Sequence, residues 1–123
     1  MNDFPITVTD KTFDSEVIES IRPVLVYFWA EWCEECRCMS QTVDAVANDK
    51  RASLQVARLN VDENPRMARR CLIRMVPTVI LFMDGIERER IEGVTNRVHL
   101  TSTIDMHLSV KIDNEVSEID SVN

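Results

Sequence analysis

Apolar positions along this chain recur with two periods, and the switches between them outline the elements. Ile6-Thr7-Val8 is a short strand candidate. Thr9 and Asp10 offer helix caps, and Phe13, Val17 and Ile21 then recur every four residues, which predicts one helix face. The run VLVYFWA, Val24 to Ala30, is apolar throughout and rich in β-branched and aromatic residues, the pattern of a strand covered on both faces. Cys36, Met39, Val43 and Val46 line one side of a following helix. Leu54 to Val61 reads as the next strand. Pro65 opens a short helix, because proline is tolerated in a first turn. Thr78 to Met83 is another apolar strand, and Asp84-Gly85 is a strong hairpin signal. The strand after it, IERERI, carries charge suited to a sheet edge, where charge discourages pairing with a second chain. Gly93 breaks the chain. Thr95 or Asn96 can cap a last helix bearing Leu100, Ile104 and Leu108 at four-residue spacing.

The resulting order is β-α-β-α-β-α-β-β-α. Right-handed crossovers and a terminal hairpin turn that order into an α/β fold, a central mixed sheet with helices on both faces. One domain over residues 1–110 accounts for the pattern. Residues 111–123, KIDNEVSEIDSVN, scatter their apolar positions among acids and are expected to form a flexible, partly helical tail.

Composition narrows the function. The chain has 123 residues, 45% hydrophobic, and a net charge of −7. A chain of this length can bury a core without staples. Its negative charge argues against nucleic acid or an anionic membrane as the main partner, since both need a positive face. The first ten residues show no basic region followed by an apolar core, and no run is long enough to span a bilayer, so the cytoplasm is the expected compartment. Structural disulfides are rare there. The four cysteines, Cys33, Cys36, Cys38 and Cys71, are then catalytic, metal-binding or simply buried.

Three of them fall within WCEECRC, Trp32 to Cys38. Cys-x-x-Cys after a buried strand and at a helix start is a redox signature. Residues i and i+3 there lie close enough for a strain-free disulfide. The first sulfur faces free N–H groups and the positive end of the helix, which favours thiolate. The second sits one turn deeper, ready to resolve a mixed disulfide. The stretch VLVYFWAEWCEEC resembles the active-site region of the thioredoxin family, whose usual form is Trp-Cys-Gly-Pro-Cys after a strand ending Phe-Trp-Ala. ARLNVDENP and IRMVPTVILFMDG resemble that family's following segments in register, and the likeness covers roughly residues 5 to 108.

The resemblance implies a five-stranded mixed sheet flanked by four helices, and a protein-disulfide reductase with Cys33 as nucleophile and Cys36 as resolver. It further implies a cis peptide between Val76 and Pro77, with Trp32, Met75, Val76, Pro77, Gly93 and Val94 bordering a substrate groove. The expected partners are disulfide-containing client proteins and a thioredoxin reductase or comparable electron donor. No bound cofactor or metal is needed, and a monomer is expected.

Four departures bear on the chemistry. Glu34-Glu35 replaces Gly-Pro. At ~7 Å each carboxylate opposes a Cys33 thiolate by roughly 0.6–2.4 kcal/mol, for an effective dielectric between ~80 and ~20. The redox potential hardly moves: the ionisation lost is worth ~0.4 kcal/mol, or ~9 mV for two electrons. Acids also suit the first turn of any helix. Tyr27 stands where the family usually has a buried aspartate, and Arg58 where it has a lysine. A tyrosine is a poor base at neutral pH and an arginine cannot relay protons, so resolution by Cys36 is expected to be slower unless water or a nearby acid substitutes. Gln41 replaces a helix-bending proline, which predicts a straighter helix.

Cys38 lies about 200° round the helix from Cys36. It is expected as a partly buried small residue, with an accessory thiol as the alternative; a metal site combining it with the other three cysteines would require local unfolding. Cys71 is expected to be buried, with regulatory oxidation as the alternative. His99 and His107 are expected at the surface. Met39, Met67, Met83 and Met106 read as core filler, and Met75 as a residue that could touch substrate. A rival reading is a binding or redox-sensing module that uses the groove at Met75-Val76-Pro77, with the dithiol vestigial.

Overall fold

Strand β2 (Val24–Trp29) lies at the centre of the molecule, and its side chains explain a run without polar positions. Leu25 and Tyr27 pack into one core layer; Val24, Val26 and Phe28 pack into the other. Both layers are needed because helices cover both faces of the sheet. A computed structural model describes the backbone of residues 5–122 and the side chains of residues 5–109. The sheet has five strands in the order β1-β3-β2-β4-β5. Strands β1 (Ile6–Thr7), β3 (Gln55–Asn60) and β2 run parallel, whereas β4 (Thr78–Met83) is antiparallel to β2 and pairs with β5 (Ile86–Glu92) through a hairpin. The hairpin turn places both Asp84 (φ 56°) and Gly85 (φ 76°) in the left-handed region, as a two-residue turn of this type requires. β5 is an edge strand, in keeping with its charge.

One layer holds α1 (Glu34–Asp49) and α3 (Arg97–Val122) against the sheet through Met39, Val43, Val46, Leu100 and Ile104. The other holds Phe13 and Val17 of a short first helical segment and Met67 of α2 (Pro65–Arg70). Helix α1 runs unbroken past Gln41. The Asn96 carboxamide oxygen accepts from the His99 N–H and caps α3. The helical backbone of α3 continues through residues 111–122, where the tail was expected; side chains there lie outside the described residues. Among the described residues no helix is long and apolar enough to cross a membrane.

The first helical segment departs from expectation. It is a single π-helical turn over Asp14–Ile18, closed by the Glu19 N–H bonding to the Asp14 carbonyl. The chain has left the helix by Ser20, whose hydroxyl both donates to and accepts from the backbone of Arg22. Ile21 therefore misses the predicted face and is 90% exposed.

Neither Thr9 nor Asp10 caps this segment: the Thr9 hydroxyl accepts from the Lys11 and Thr12 N–H groups in the turn before it. The Asp10 carboxylate instead accepts from the N–H groups of Met67 (2.8 Å) and Arg66 (3.3 Å), while the Asp10 N–H donates to the Asn64 carboxamide oxygen (2.9 Å). Asp10 thus caps α2 from more than fifty residues away, supplying the acceptor that Asn64, at the start of that helix, does not. Removing it in Asp10→Ala is expected to lower unfolding stability by about 1–2 kcal/mol in a urea titration, with Asp10→Asn recovering most of the loss. Equal stability of all three proteins would show that the cap contributes nothing.

Candidate active site

Cys33 is the residue at which extended backbone gives way to helix α1, with φ −87° and ψ 106°. That position leaves the first N–H groups of the helix without backbone acceptors. The Cys36 N–H donates to the Cys33 Sγ at 3.1 Å, so the sulfur takes the place of a capping oxygen. Cys33 and Cys36 form a disulfide with their Cα atoms 5.2 Å apart. The pair is more enclosed than the sequence suggests. Cys33 is 4% exposed and Cys36 2%, and both belong to the core layer beneath α1.

Around the pair stand the residues expected to border a groove. Trp32 is 69% exposed, and its indole N–H donates to the Asp62 carboxylate at 2.8 Å. The Val76–Pro77 peptide is cis. The Gly93 N–H donates to the Pro77 carbonyl at 2.7 Å, and the Thr78 hydroxyl donates to the Met75 carbonyl at 2.8 Å. Gly93 has φ 94°, a conformation suited to glycine, and Met75 Cε lies 3.6 Å from the position a Cβ there would take. An open groove of about 190 Å³ runs between Trp32 and the segment Ile73 to Val76, floored by Val61 and Ala68. Pro77, Gly93 and the exposed Val94 do not line it.

Tyr27 is fully buried, and its hydroxyl donates to the Cys36 carbonyl at 2.7 Å, with the Ser40 hydroxyl at 3.4 Å. Burial pushes the phenol above its usual range, outweighing the Ser40 hydrogen bond. Tyr27 is therefore a neutral tether for the first turn of α1. Arg58 lies beside it in register on β3 and reaches the Asp44 carboxylate of α1 at 3.5 Å. The Arg58 Nε is buried without a partner. Glu34 and Glu35 point to solvent from the first turn.

Asp62 and Asp44 were missed at the sequence level. Asp62 sits in a turn in which the Asn60 carboxamide oxygen accepts from the N–H groups of Asp62 and Glu63. No periodic pattern marks such a residue; only the approach of Trp32 gives it a role. Asp44 lies two turns beyond Cys36 on the half-exposed side of α1, where an acid is unremarkable without knowledge of the neighbouring strand.

Several side chains do not converge on the site. Cys38 is exposed rather than partly buried, since the unbroken helix turns it away from Cys36. Cys71 is only partly buried, yet burial still pushes its thiol up to about 11. Met106, expected in the core, is exposed, whereas Met39, Met67 and Met83 are buried. His99 is exposed and bonded to Thr95; His107 is partly buried against Glu89.

A cysteine pair that closes at the head of a helix, beside an open groove and a cis-proline loop, defines a dithiol-disulfide exchange protein. The chain belongs to the thioredoxin family, whose model matches residues 4–106. It is 43% identical over 101 residues to thioredoxin 1 of Synechococcus elongatus, a match spanning 82% of this chain and 94% of that one. It is 41% identical over 101 residues to thioredoxin of Griffithsia pacifica, spanning 82% and 93%. It is also 42% identical over 95 residues to a bifunctional thioredoxin reductase/thioredoxin of Mycobacterium leprae, covering 77% of this chain and 21% of that protein. The protein is a thiol-disulfide oxidoreductase, and the Cys33–Cys36 pair fits the family's active site.

Proposed function

We propose that this chain reduces protein disulfides with Cys33 as nucleophile and Cys36 as resolver. The observation that carries the assignment is the Cys36 N–H directed at Cys33 Sγ at the start of α1, which stabilises charge on that sulfur and not on the other. The Cys33 thiolate attacks one sulfur of the client disulfide, and the bond to the other sulfur breaks. The departing client thiolate, basic with an ordinary pKa of about 8.5, takes a proton. Cys36 then attacks Cys33 Sγ, closes the Cys33–Cys36 disulfide and releases the second client thiol. Two electrons have passed from protein to client.

Trp32, Met75 and Val76 would hold the client's backbone across the groove, with Pro77, Gly93 and Val94 beyond its edge. Tyr27 offers no base, so the Cys36 proton passes to water or to the client. Arg58, beside Tyr27 and paired with Asp44, cannot relay that proton either. The electron donor is a thioredoxin reductase or a comparable enzyme; a relative that carries both activities by name supports that choice. The protein would act as a monomer in the cytoplasm, with residues 111–123 as an appendage outside the domain. Reductase-coupled turnover of a disulfide protein, compared between the native chain and its cysteine variants, tests the assignment.

Glu34 and Glu35 modulate the rate. Both are exposed, so their repulsion of a Cys33 thiolate falls at the high-dielectric end of the range. The double variant Glu34→Gln/Glu35→Gln is expected to alkylate at Cys33 roughly two- to five-fold faster at pH 7, with the difference fading above pH 9.5. Site-resolved mass spectrometry of iodoacetamide labelling measures this. Identical rates at pH 7 would leave the glutamates with only a helix-dipole role.

A further inference from the structure

The α2–β4 connection contains a residue that the exchange chemistry does not use. Leu72 has φ 56°, a left-handed conformation that glycine adopts freely and a bulky side chain does not. The reason is a helix stop. The Leu72 N–H bonds to the Arg69 carbonyl and the Ile73 N–H to the Ala68 carbonyl, the paired bonds that end a helix and usually place glycine at this position. The turn is also clamped from the edge strand. The Arg90 guanidinium donates to the carbonyls of Cys71 (2.7 Å) and Leu72 (3.2 Å) and is itself held by Glu87. Nothing in this arrangement needs a leucine. Its side chain is 76% exposed, immediately before the Ile73–Val76 wall of the groove.

The charge around it is equally uneven. From Asn64 to Met83 the sequence has four arginines, Arg66, Arg69, Arg70 and Arg74, and no carboxylate, in a chain of net charge −7. Arg70 is paired with Asp14 and Arg74 with Glu92. Among the described residues, the side chains of Arg66 and Arg69 make no ion pair or hydrogen bond, and both are exposed on α2. The cysteine side of the groove is more acidic: Glu31, Glu34 and Glu35 are exposed there, against one exposed cation, Arg37.

We propose that Leu72, with Arg66 and Arg69, is a docking platform that selects clients carrying an acidic, apolar segment beside the target disulfide. This rests on the reductase reading above, because a polypeptide attacked by Cys33 must lie across the groove whose wall begins at Ile73. An apolar client residue covers Leu72, and client carboxylates meet the guanidinium groups of Arg66 and Arg69. The reversed orientation would put those carboxylates against Glu34 and Glu35.

The test uses two synthetic peptide disulfides that differ only in the residues flanking one cysteine, Leu-Asp-Asp in one and Leu-Lys-Lys in the other. Neutral hydroxyethyl disulfide serves as the reference substrate. The native protein should reduce the acidic peptide with about tenfold higher kcat/KM than the basic one, through a lower KM, and the ratio should shrink with added salt. Leu72→Gly and Arg66→Gln/Arg69→Gln should each reduce the acidic-peptide rate relative to hydroxyethyl disulfide at least threefold. Leu72→Gly should also raise the unfolding midpoint, because it relieves the left-handed leucine. Equal kcat/KM for the two peptides, a preference that survives both variants, or a lowered midpoint for Leu72→Gly would each overturn the proposal. Failure to reduce hydroxyethyl disulfide as well would overturn the dithiol mechanism itself, and the platform with it.

Discussion

Serine at Cys33 is expected to lower protein-disulfide reduction to the rate of the external reductant alone. A hydroxyl does not ionise near neutral pH and cannot form the mixed disulfide, so the first exchange is lost and not merely slowed. The fold should survive, because serine is a good residue at this helix-capping position and can accept from the Cys36 N–H as the sulfur does. Cys36→Ser should behave differently. It retains the first exchange and lacks the second, so a client should accumulate on Cys33 to near one equivalent and be released by dithiothreitol. Mass spectrometry of the trapped adducts places the linkage. Turnover by Cys33→Ser, or adducts of Cys36→Ser that gather on Cys38 or Cys71, would invert or abolish the assigned roles. Capture of clients by a double-serine variant with undiminished affinity would favour the docking-module alternative.

Gly85→Ala should be the most destabilising conservative change in the described fold. Gly85 has φ 76°, and an added Cβ would stand 2.6 Å from the Ile18 carbonyl oxygen and 3.2 Å from its Cγ2. The obstacle is backbone, so no rotamer change relieves it. The left-handed conformation and the overpacking together are expected to cost about 2–4 kcal/mol, a substantial part of an ordinary domain's stability. The unfolding midpoint should fall by roughly 10 °C. The neighbouring residue is the control. Asp84 is also left-handed, at φ 56°, but Asp84→Gly should change stability by less than about 0.5 kcal/mol or raise it, because glycine relieves the same conformation. Thermal unfolding of both variants decides the matter; an unaltered midpoint for Gly85→Ala would mean that the hairpin can pivot away from Ile18.

Much of this molecule was legible in the order of its residues. VLVYFWA announced a strand covered on both faces, and the structure fills both core layers from it. The spacing of Cys36, Met39, Val43 and Val46 announced the buried side of α1. Asp84-Gly85 announced the hairpin. These signals are local: each reports backbone propensity or which side of one element is apolar, and the core accepts what each element presents. The same logic failed at Ile21, where a four-residue spacing continued past the end of the helix that would have used it. It also placed Cys38 and Met106 too deep, because residue type says little about which way a half-amphipathic helix is turned.

The candidate site divides along the same line. The cysteine pair, Trp32 and the Val76-Pro77 loop could be picked out from motif and resemblance. Their enclosure could not: Cys33 and Cys36 are both nearly buried, a consequence of how α1 lies on the sheet. The Asp62 bond to Trp32 and the Asp44 contact with Arg58 join residues that neither period nor motif connects.

The sequence by itself determined the element order, the two apolar faces of the central strands and the cysteine pair at the head of α1, because each depends on residues within a turn or two of one another. Tertiary structure alone decided that Asp10 would cap α2, that Tyr27 would tether the Cys36 carbonyl, and that Leu72 would stand exposed in a clamped left-handed turn beside the groove. Those outcomes depend on distances between segments far apart in the chain, which are set only when the two core layers have packed.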